Sequence, residues 1–129
     1  MTVTGLNHYN LRADRATLDA LRDFYVDVVG LQPGYRPPFR SFGYWLYVGQ
    51  QAVLHLSEAG PHEKRDVTAT NTFDHVAFSC IGLKATIARL QQFNIRFASD
   101  DVPGAGQHQL FFSDPAGNGV ELNFAGEEA

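Results

Sequence analysis

Polar and apolar residues follow a strand-like and then a helix-like pattern in the first half of the chain. Residues 3–11 alternate between the two kinds, and residues 14–31 carry apolar side chains at three- and four-residue steps. Loop signals and two short apolar runs come next. The predicted elements are a strand at 3–11, a helix at 14–31, a loop at 32–39 and strands at 42–49 and 52–58.

The same plan returns after residues 59–71, a polar stretch that is predicted to be a linker. The elements predicted for this half are a strand at 73–80, a helix with Leu83, Ile87, Leu90 and Phe93 on one face, a strand at 95–99, a loop at 100–106, and strands at 108–113 and 119–124. We interpret each half as β-α-β-β-β, which predicts an α+β fold. Modules at about 3–58 and 72–126 would together form a single domain over residues 1–129.

Four side chains that can bind a metal lie at matching places in the two modules. His8 and His75 lie in the opening strands, and His55 and Glu121 lie in the closing strands. A lone histidine in an apolar strand is more often a hydrogen-bonded core residue, and a lone glutamate usually faces solvent. Recurrence at equivalent positions of a repeated unit favours a shared function instead.

Strand alternation predicts that these four side chains share one face of their strands. If the neighbouring apolar residues pack against the helices, a curved mixed sheet would gather the four on its concave face, as a metal cup. Imidazole and carboxylate suit one divalent ion such as Zn, Ni, Fe or Mn. Glu121 and either His55 or His108 are the candidates for proton transfer.

Further polar and aromatic residues are candidates for contacts with a substrate. His108 begins a strand near the predicted site, although a surface position explains it about as well. Arg36 and Trp45 would line a pocket, although aromatic residues in a strand more often belong to the core. The amides expected on the concave face, where they would orient ligands or substrate, are Asn10, Gln109 and Asn123.

The composition argues against several classes of partner. The net charge is −4 and no basic patch is present, which makes nucleic acid and anionic membranes unsuitable partners. No apolar run approaches the ~18 residues of a membrane span. The first residues lack a signal-peptide pattern, so a cytoplasmic protein is expected.

Several motifs of the chain resemble those of the vicinal oxygen chelate superfamily. They are 5-GLNHYNL-11, 22-RDFYVDVVGL-31, 74-DHVAF-78 and 111-FFSDPAGNGVELNF-124, set in paired modules. This superfamily contains glyoxalase I, methylmalonyl-CoA epimerase, fosfomycin-resistance thiol transferases, extradiol dioxygenases and bleomycin-resistance proteins. The resemblance covers nearly the whole chain, and the closing motif is typical of the superfamily rather than of one activity.

The resemblance implies roles for individual residues. His8, His75 and Glu121 match the superfamily's metal triad. His55 occupies the place of a fourth ligand, which is usually Glu or Gln in glyoxalase I and the epimerase. Phe111 stands where the extradiol dioxygenases carry a tyrosine. The bleomycin-resistance proteins lack the metal ligands that this chain has.

Three functions follow as hypotheses. The first is a metal-dependent lyase or isomerase of the glyoxalase kind, in which the ion chelates adjacent oxygens of a small substrate and stabilises an enolate-like intermediate. The second is an extradiol-type dioxygenase that uses Fe(II) or Mn(II). The third is a non-catalytic protein that sequesters a small molecule, as antibiotic-resistance proteins do. The resemblance also implies a homodimer, and it leaves open whether the cup closes within one chain or across the dimer.

Overall fold

Two compact units make up the chain. The amino-terminal unit spans Met1–Val67 and the carboxy-terminal unit spans Thr68–Ala129. The predicted linker at 59–71 falls partly outside the described residues. The computed structural model describes residues 1–65, 72–102 and 106–127.

In its described residues, the amino-terminal unit combines an α-helix, a π-helical turn and a four-stranded sheet. In chain order its elements are β1 (Tyr9–Ala13), α1 (Arg15–Phe24), a π-helical turn (Tyr25–Val29), β2 (Gln32–Gly34), β3 (Gly43–Val48) and β4 (Gln51–Glu58). The strands lie in the order β1-β4-β3-β2, with β1 parallel to β4 and the other neighbours antiparallel. The first and last strands of the unit are therefore side by side.

The apolar stripe of α1 explains why this segment is helical and where it packs. Leu18, Leu21 and Phe24 are buried, and the helix lies against β1, β3 and β4. On the sheet, Leu54 and Leu56 are fully buried, at alternate positions of β4. Each such side chain stabilises the fold by about 1.5–3 kcal/mol relative to an exposed one. His55 lies between them in β4, so its side chain points to the opposite face of the sheet.

The carboxy-terminal unit repeats this plan. Its elements are β5 (His75–Cys80), α2 (Leu83–Gln92), β6 (Ala98–Val102), β7 (Gln107–Ser113) and β8 (Gly119–Ala125). The strand order β5-β8-β7-β6 again sets the first and last strands in parallel contact. Two βαβββ modules, each with a mixed sheet and a helix, confirm the predicted α+β fold.

Both helices are short. α1 and α2 have ten residues each. Leu83 and Leu90 of α2 are buried as predicted and Ile87 is half-buried, but Phe93 follows the helix and is exposed. Within the ranges that the structure describes, no helix has the length and apolar character needed to cross a membrane.

Three features of the amino-terminal unit differ from the prediction. The helix predicted at 14–31 is α-helical only from Arg15 to Phe24 and continues as a π-helical turn to Val29. β1 begins at Tyr9, and not at residue 3, because its pairing with β4 begins with Tyr9 and Leu54. The prediction of an uninterrupted loop at 32–39 was wrong, because Gln32–Gly34 pairs with β3. With this short strand, β2, the sheet of the unit has four strands. His8 consequently lies immediately before β1 and not within it.

Boundaries of the carboxy-terminal unit differ as well, and the opening strand predicted at 73–80 begins at His75. The strand predicted at 95–99 begins at Ala98 and continues to Val102, into the predicted loop 100–106. Backbone pairing with β7 holds Asp100 and Asp101 in the strand despite their low strand propensity. Residues 103–105 of that predicted loop lie outside the described residues.

Candidate functional site

His75 and Glu121 form a pair on neighbouring parallel strands of the carboxy-terminal unit. His75 Nε2 lies 3.3 Å from Glu121 Oε1. Glu121 is buried, with 9% of its surface exposed, and its second oxygen, Oε2, accepts a hydrogen bond of 3.2 Å from Gln109 Nε2. The strand β8 buries Val120 and Leu122 as well, so the carboxylate is held on a strand that is packed on both sides.

The other nitrogen of His75 is engaged by the preceding residue. His75 Nδ1 donates to Asp74 Oδ2 over 2.8 Å, and this hydrogen bond, helped by the charge of Glu121, raises the pKa of His75 above its ordinary value. In the neutral ring, Nε2 then carries the lone pair and faces a carboxylate oxygen. Two facing acceptors require a shared cation, either a proton or a metal ion. The ring of Phe111 stands edge-on to His75, with 6.5 Å between centroids.

His8 and His55 form the corresponding pair in the amino-terminal unit. Their rings stack with centroids 3.7 Å apart, and the ring of Trp45 stacks on the other side of His55 at 3.9 Å. His8 Nδ1 donates to Asn7 Oδ1 over 2.7 Å. Gln51 Nε2, on β4, donates to the backbone carbonyl of Asn7 over 2.9 Å, which fixes the chain just before β1.

The surroundings of His55 favour its neutral form. Burial lowers the pKa of His55, and the nearby charges of His8 and Arg36 lower it further. An imidazole that resists protonation keeps a lone pair available at neutral pH. His55 is therefore suited to bind a cation or to accept a proton.

A pocket of about 240 Å3 opens beside this pair in the amino-terminal unit. Its wall includes Trp45 and His55, which the sequence singled out. The residues that complete its lining are Asn10, Arg36, Phe39, Ser41, Leu56 and Ser57. The pocket therefore combines aromatic rings with hydroxyl, amide and guanidinium groups, which is typical of small-molecule sites.

A hydrogen-bond network fixes the polar edge of this pocket. Ser57 Oγ donates to Asn10 Oδ1 over 3.0 Å, and Arg12 Nη1 donates to Ser57 Oγ over 3.3 Å. Arg12 is in turn bound by both carboxylate oxygens of Glu63. Because Glu63 follows β4, the start of the predicted linker contributes to the pocket's support.

The candidate substrate contacts of the carboxy-terminal unit divide between the two faces of its sheet. Gln109 pairs with Asn123 across β7 and β8, and both share the face of Glu121. His108 pairs with Phe124, on the opposite face. Only 3% of His108 is exposed, and its ring nitrogens bond to Ser99 and Asp101. The structure therefore separates His108 from the Glu121 face.

Two residues that the sequence analysis did not single out orient the candidate donors. Asn7 and Asp74 each precede a candidate histidine and bind its Nδ1. Their matching positions in the two modules were the available signal. A side-chain oxygen on one ring nitrogen directs the other nitrogen toward a ligand, as in the outer shells of metal sites.

The donors fit a divalent ion in their chemistry. Two donors at the 2.0–2.2 Å typical of Zn ligands lie roughly 3–3.5 Å apart, which matches the 3.3 Å between His75 and Glu121. The stacked planes of His8 and His55 lie 14° from parallel, so these rings would turn to share an ion. Across residues 1–65, 72–102 and 106–127, no three His, Cys, Asp or Glu side chains form a metal-binding cluster.

Comparison with protein families identifies the class of this chain. The sequence model of the Glyoxalase/Bleomycin resistance protein/Dioxygenase superfamily matches residues 5–122. The chain belongs to this superfamily, which confirms the resemblance seen in the sequence motifs. No curated protein sequence matches the chain.

Solved structures share the fold over almost the whole chain. Lactoylglutathione lyase from Agrobacterium tumefaciens has a TM-score of 0.65 at 25% identity, and the match covers 96% of each chain. TnmS3, an antibiotic-binding protein from Streptomyces sp. CB03234, has a TM-score of 0.68 at 19% identity, covering 97% of this chain and 98% of that one.

A variant of the fosfomycin resistance protein FosX from Listeria monocytogenes is similar as well. It was solved with Mn(II) and 1S,2S-dihydroxypropylphosphonic acid, and it has a TM-score of 0.70 at 14% identity, covering 96% of this chain and 94% of that one. Identities this low establish the shared fold, and the particular activity has to be argued from the residues.

Proposed function

We propose that this protein is a divalent-metal-dependent enzyme of the glyoxalase type, with His8, His55, His75 and Glu121 as its metal donors. The observation that carries the proposal is the approach of His75 Nε2 to Glu121 Oε1 at 3.3 Å, with Nδ1 already donating to Asp74. The matching His8–His55 pair supports it. Zn, Ni, Fe and Mn are all compatible with three imidazoles and one carboxylate.

The chain's own groups have separate tasks in this proposal. When bound, the ion would act as a Lewis acid on two adjacent oxygens of a small substrate. Gln109 restrains one oxygen of Glu121, which orients the other toward His75. His55, kept neutral by its lowered pKa, and Glu121 are the groups that can hold or pass on a proton. Trp45 covers one face of His55 and limits its access to water.

Metal analysis tests the proposal directly. Protein purified without chelators should contain about one divalent ion per chain, and His75→Ala and Glu121→Gln should each lose most of it, because each removes a donor. His62→Ala, a change at an exposed histidine outside the strands, is the matched control. Full metal content in both site variants would reject the proposed donors.

Activity assays separate the lyase or isomerase reaction from the dioxygenase alternative. The likeness to lactoylglutathione lyase makes 2-oxoaldehyde–thiol adducts the first substrates to test. Phe111 stands beside His75 and has no hydroxyl with which to orient a metal-bound catechol. We expect turnover without oxygen uptake, and catechol ring cleavage with stoichiometric oxygen uptake would establish the dioxygenase instead.

A binding protein without chemistry is the second candidate. The aromatic pocket of the amino-terminal unit favours it, since aromatic rings such as Phe39 and Trp45 in its lining can bind a flat molecule without a reaction. The likeness in fold to the antibiotic-binding protein TnmS3 is consistent with this. Tight binding of a co-purified small molecule, with no turnover of any candidate substrate, would select this function.

We also propose a homodimer in the cytoplasm. β1 and β5 each lie at one edge of their own sheet, and open strand edges favour pairing with another chain. Light scattering at micromolar concentration should give twice the mass of one chain. A monomer mass would reject the dimer without affecting the proposed metal donors.

A further inference from the structure

Arg36 carries a charge that the described part of the chain leaves uncompensated. Four other arginines, Arg12, Arg15, Arg22 and Arg65, each form an ion pair with a carboxylate. Among residues 1–65, 72–102 and 106–127, Arg36 has no carboxylate within 4 Å, as is also true of Arg40, Arg89 and Arg96, and it differs from these three in its Nε. Its Nε is buried and has no hydrogen-bond partner there. A buried N–H donor without an acceptor is costly, so a missing acceptor for Nε is indicated, although the remainder of the guanidinium is partly exposed.

The guanidinium of Arg36 is held in a fixed position. Nη1 donates to the backbone carbonyl of Ser41 over 2.8 Å and Nη2 donates to Ser41 Oγ over 3.2 Å. Its Cζ lies 4.9 Å from the centroid of the Phe39 ring. A Cβ at Gly43 would meet the backbone carbonyl oxygen of Leu56 and would stand 3.0 Å from Arg36 Nε, so the glycine makes room for both the neighbouring strand and the arginine. Neutral partners thus orient the cation without neutralising it.

The pocket next to Arg36 has the size and walls for one small flat group. At about 240 Å3 it is smaller than the roughly 300–1,000 Å3 of drug-sized pockets. Phe39 and Trp45 lie in ring contact, with centroids 6.0 Å apart, and both line the pocket with His55. Aromatic walls favour an apolar planar body, and the guanidinium at the edge favours an oxyanion on it.

We propose that this pocket is the subsite for a planar substrate that carries an oxyanion, with Arg36 as the anion-binding residue. The inference deepens the proposed function and rests on it for the term substrate, because His55 belongs both to the pocket wall and to the proposed metal donors. A carboxylate and a phosphonate share the required chemistry: two or more oxygens that accept charge-assisted hydrogen bonds from a guanidinium.

Fluorescence gives a direct readout, because Trp45 is the chain's one tryptophan and lines the pocket. The full chain, freed of metal with a chelator, is titrated with benzoate, phenylphosphonate and benzamide. Benzamide has the size of benzoate but no charge. We expect a saturable change in Trp45 fluorescence with at least one of the two anions. That anion should bind about tenfold or more tightly than benzamide, because one charge-assisted hydrogen bond contributes about that factor to affinity. The tighter of the two anions identifies the oxyanion class.

Variants separate anion binding from a purely structural arginine. Arg36→Gln should abolish the preference for the anions over benzamide, whereas Arg36→Lys, which keeps the charge, should retain a reduced preference. Arg40→Gln, at an exposed arginine of the same segment, is the matched control and should behave as the parent. Circular dichroism checks that each variant is folded, and Arg36→Lys decides the matter if Arg36→Gln does not fold.

Clear outcomes would overturn the inference. Equal affinity for benzoate and benzamide, an undiminished preference in Arg36→Gln, or no saturable response to any probe would each do so. Because the titration uses metal-free protein, its result is independent of the metal analysis. Anion binding without metal would leave the subsite intact in a binding protein, and metal without anion binding would leave the proposed enzyme with a different substrate.

Discussion

Gly119 lies directly opposite His75 in the parallel pairing of β5 and β8. A Cβ at Gly119 would stand 2.8 Å from the Cβ of His75 and 2.4 Å from the backbone carbonyl oxygen of Asp74, so the glycine admits the histidine and its neighbour. We predict that Gly119→Ala lowers the free energy of unfolding by about 1–3 kcal/mol, as overpacking usually does. Urea unfolding measures this, and metal content should fall with the displaced histidine.

Gly60→Ala is the control for this substitution, because nothing lies within 4 Å of a Cβ at Gly60. It should leave both stability and metal content close to those of the parent. Unchanged stability and metal content in Gly119→Ala would show that β5 and β8 adjust without cost, and that the position of His75 does not depend on the glycine.

A second prediction concerns Asp74, which accepts the hydrogen bond from His75 Nδ1. Removing an orienting carboxylate typically weakens metal binding 10–100-fold, and we expect about tenfold for Asp74→Ala, since the side chain is exposed. Asp74→Asn keeps an acceptor oxygen and should lose less. Calorimetric titration with Zn at alkaline pH measures the effect where protons do not compete with the metal.

Asp27→Ala, at an exposed aspartate in the amino-terminal unit, controls for the loss of one negative charge. Equal affinity in Asp74→Ala and the parent would mean that the His75 ring is held by packing alone. The same experiment on Asn7→Ala extends the test to His8, whose Nδ1 has the matching partner.

Local periodicity made much of the fold and part of the site predictable. The alternation that buries Leu54 and Leu56 leaves His55 for the other face, and the repeated plan allowed Glu121 to be matched with His55. Strand ends were less predictable, because they depend on the partner strand: β1 begins where pairing with Leu54 begins, and no local signal at residues 3–8 marks that point.

Contacts between distant segments account for what the sequence did not reveal. His108 was a candidate for a substrate contact near the site, but the β7–β8 register pairs it with Phe124, on the face opposite Glu121, and a register is fixed only by the folded pair. The setting of Arg36 depends on Ser41 and on the space above Gly43, a combination of three residues that have no distinctive spacing. The sequence had already indicated Arg36 as a pocket residue, and the structure adds its buried Nε without an acceptor among the described residues.

Acid should weaken the amino-terminal unit through Glu63. Hydrogen bonds from Arg12 and then Arg65 lower the pKa of Glu63 from 4.5 to about 2. Between these two values the unfolded chain binds the proton more tightly, so the free energy of unfolding rises with pH over this window. The stabilisation is complete above pH 4.5 and is lost as the pH falls toward 2.

Glu63→Gln should therefore flatten the dependence of stability on pH between about 2 and 4.5. Urea unfolding at a series of pH values measures it, with low salt because exposed charges are screened. Asp27→Asn provides a variant with the same change in charge. If the free energy of unfolding depends on pH in the same way in Glu63→Gln and in the parent, the ion pair with Arg12 adds nothing to stability in solution.

The last prediction separates His108 from the proposed metal donors. Its ring is 3% exposed, Ser99 Oγ lies 2.6 Å from Nε2, and Asp101 accepts from Nδ1, all on the face opposite Glu121. His108→Ala removes a buried side chain with both hydrogen bonds, and we expect a loss of about 1–3 kcal/mol in the free energy of unfolding. Metal content and the benzoate titration should stay unchanged in the folded variant.

His62→Ala, at an exposed histidine, should alter none of these quantities. Loss of metal from His108→Ala at unchanged stability would place His108 among the functional residues and contradict its structural role.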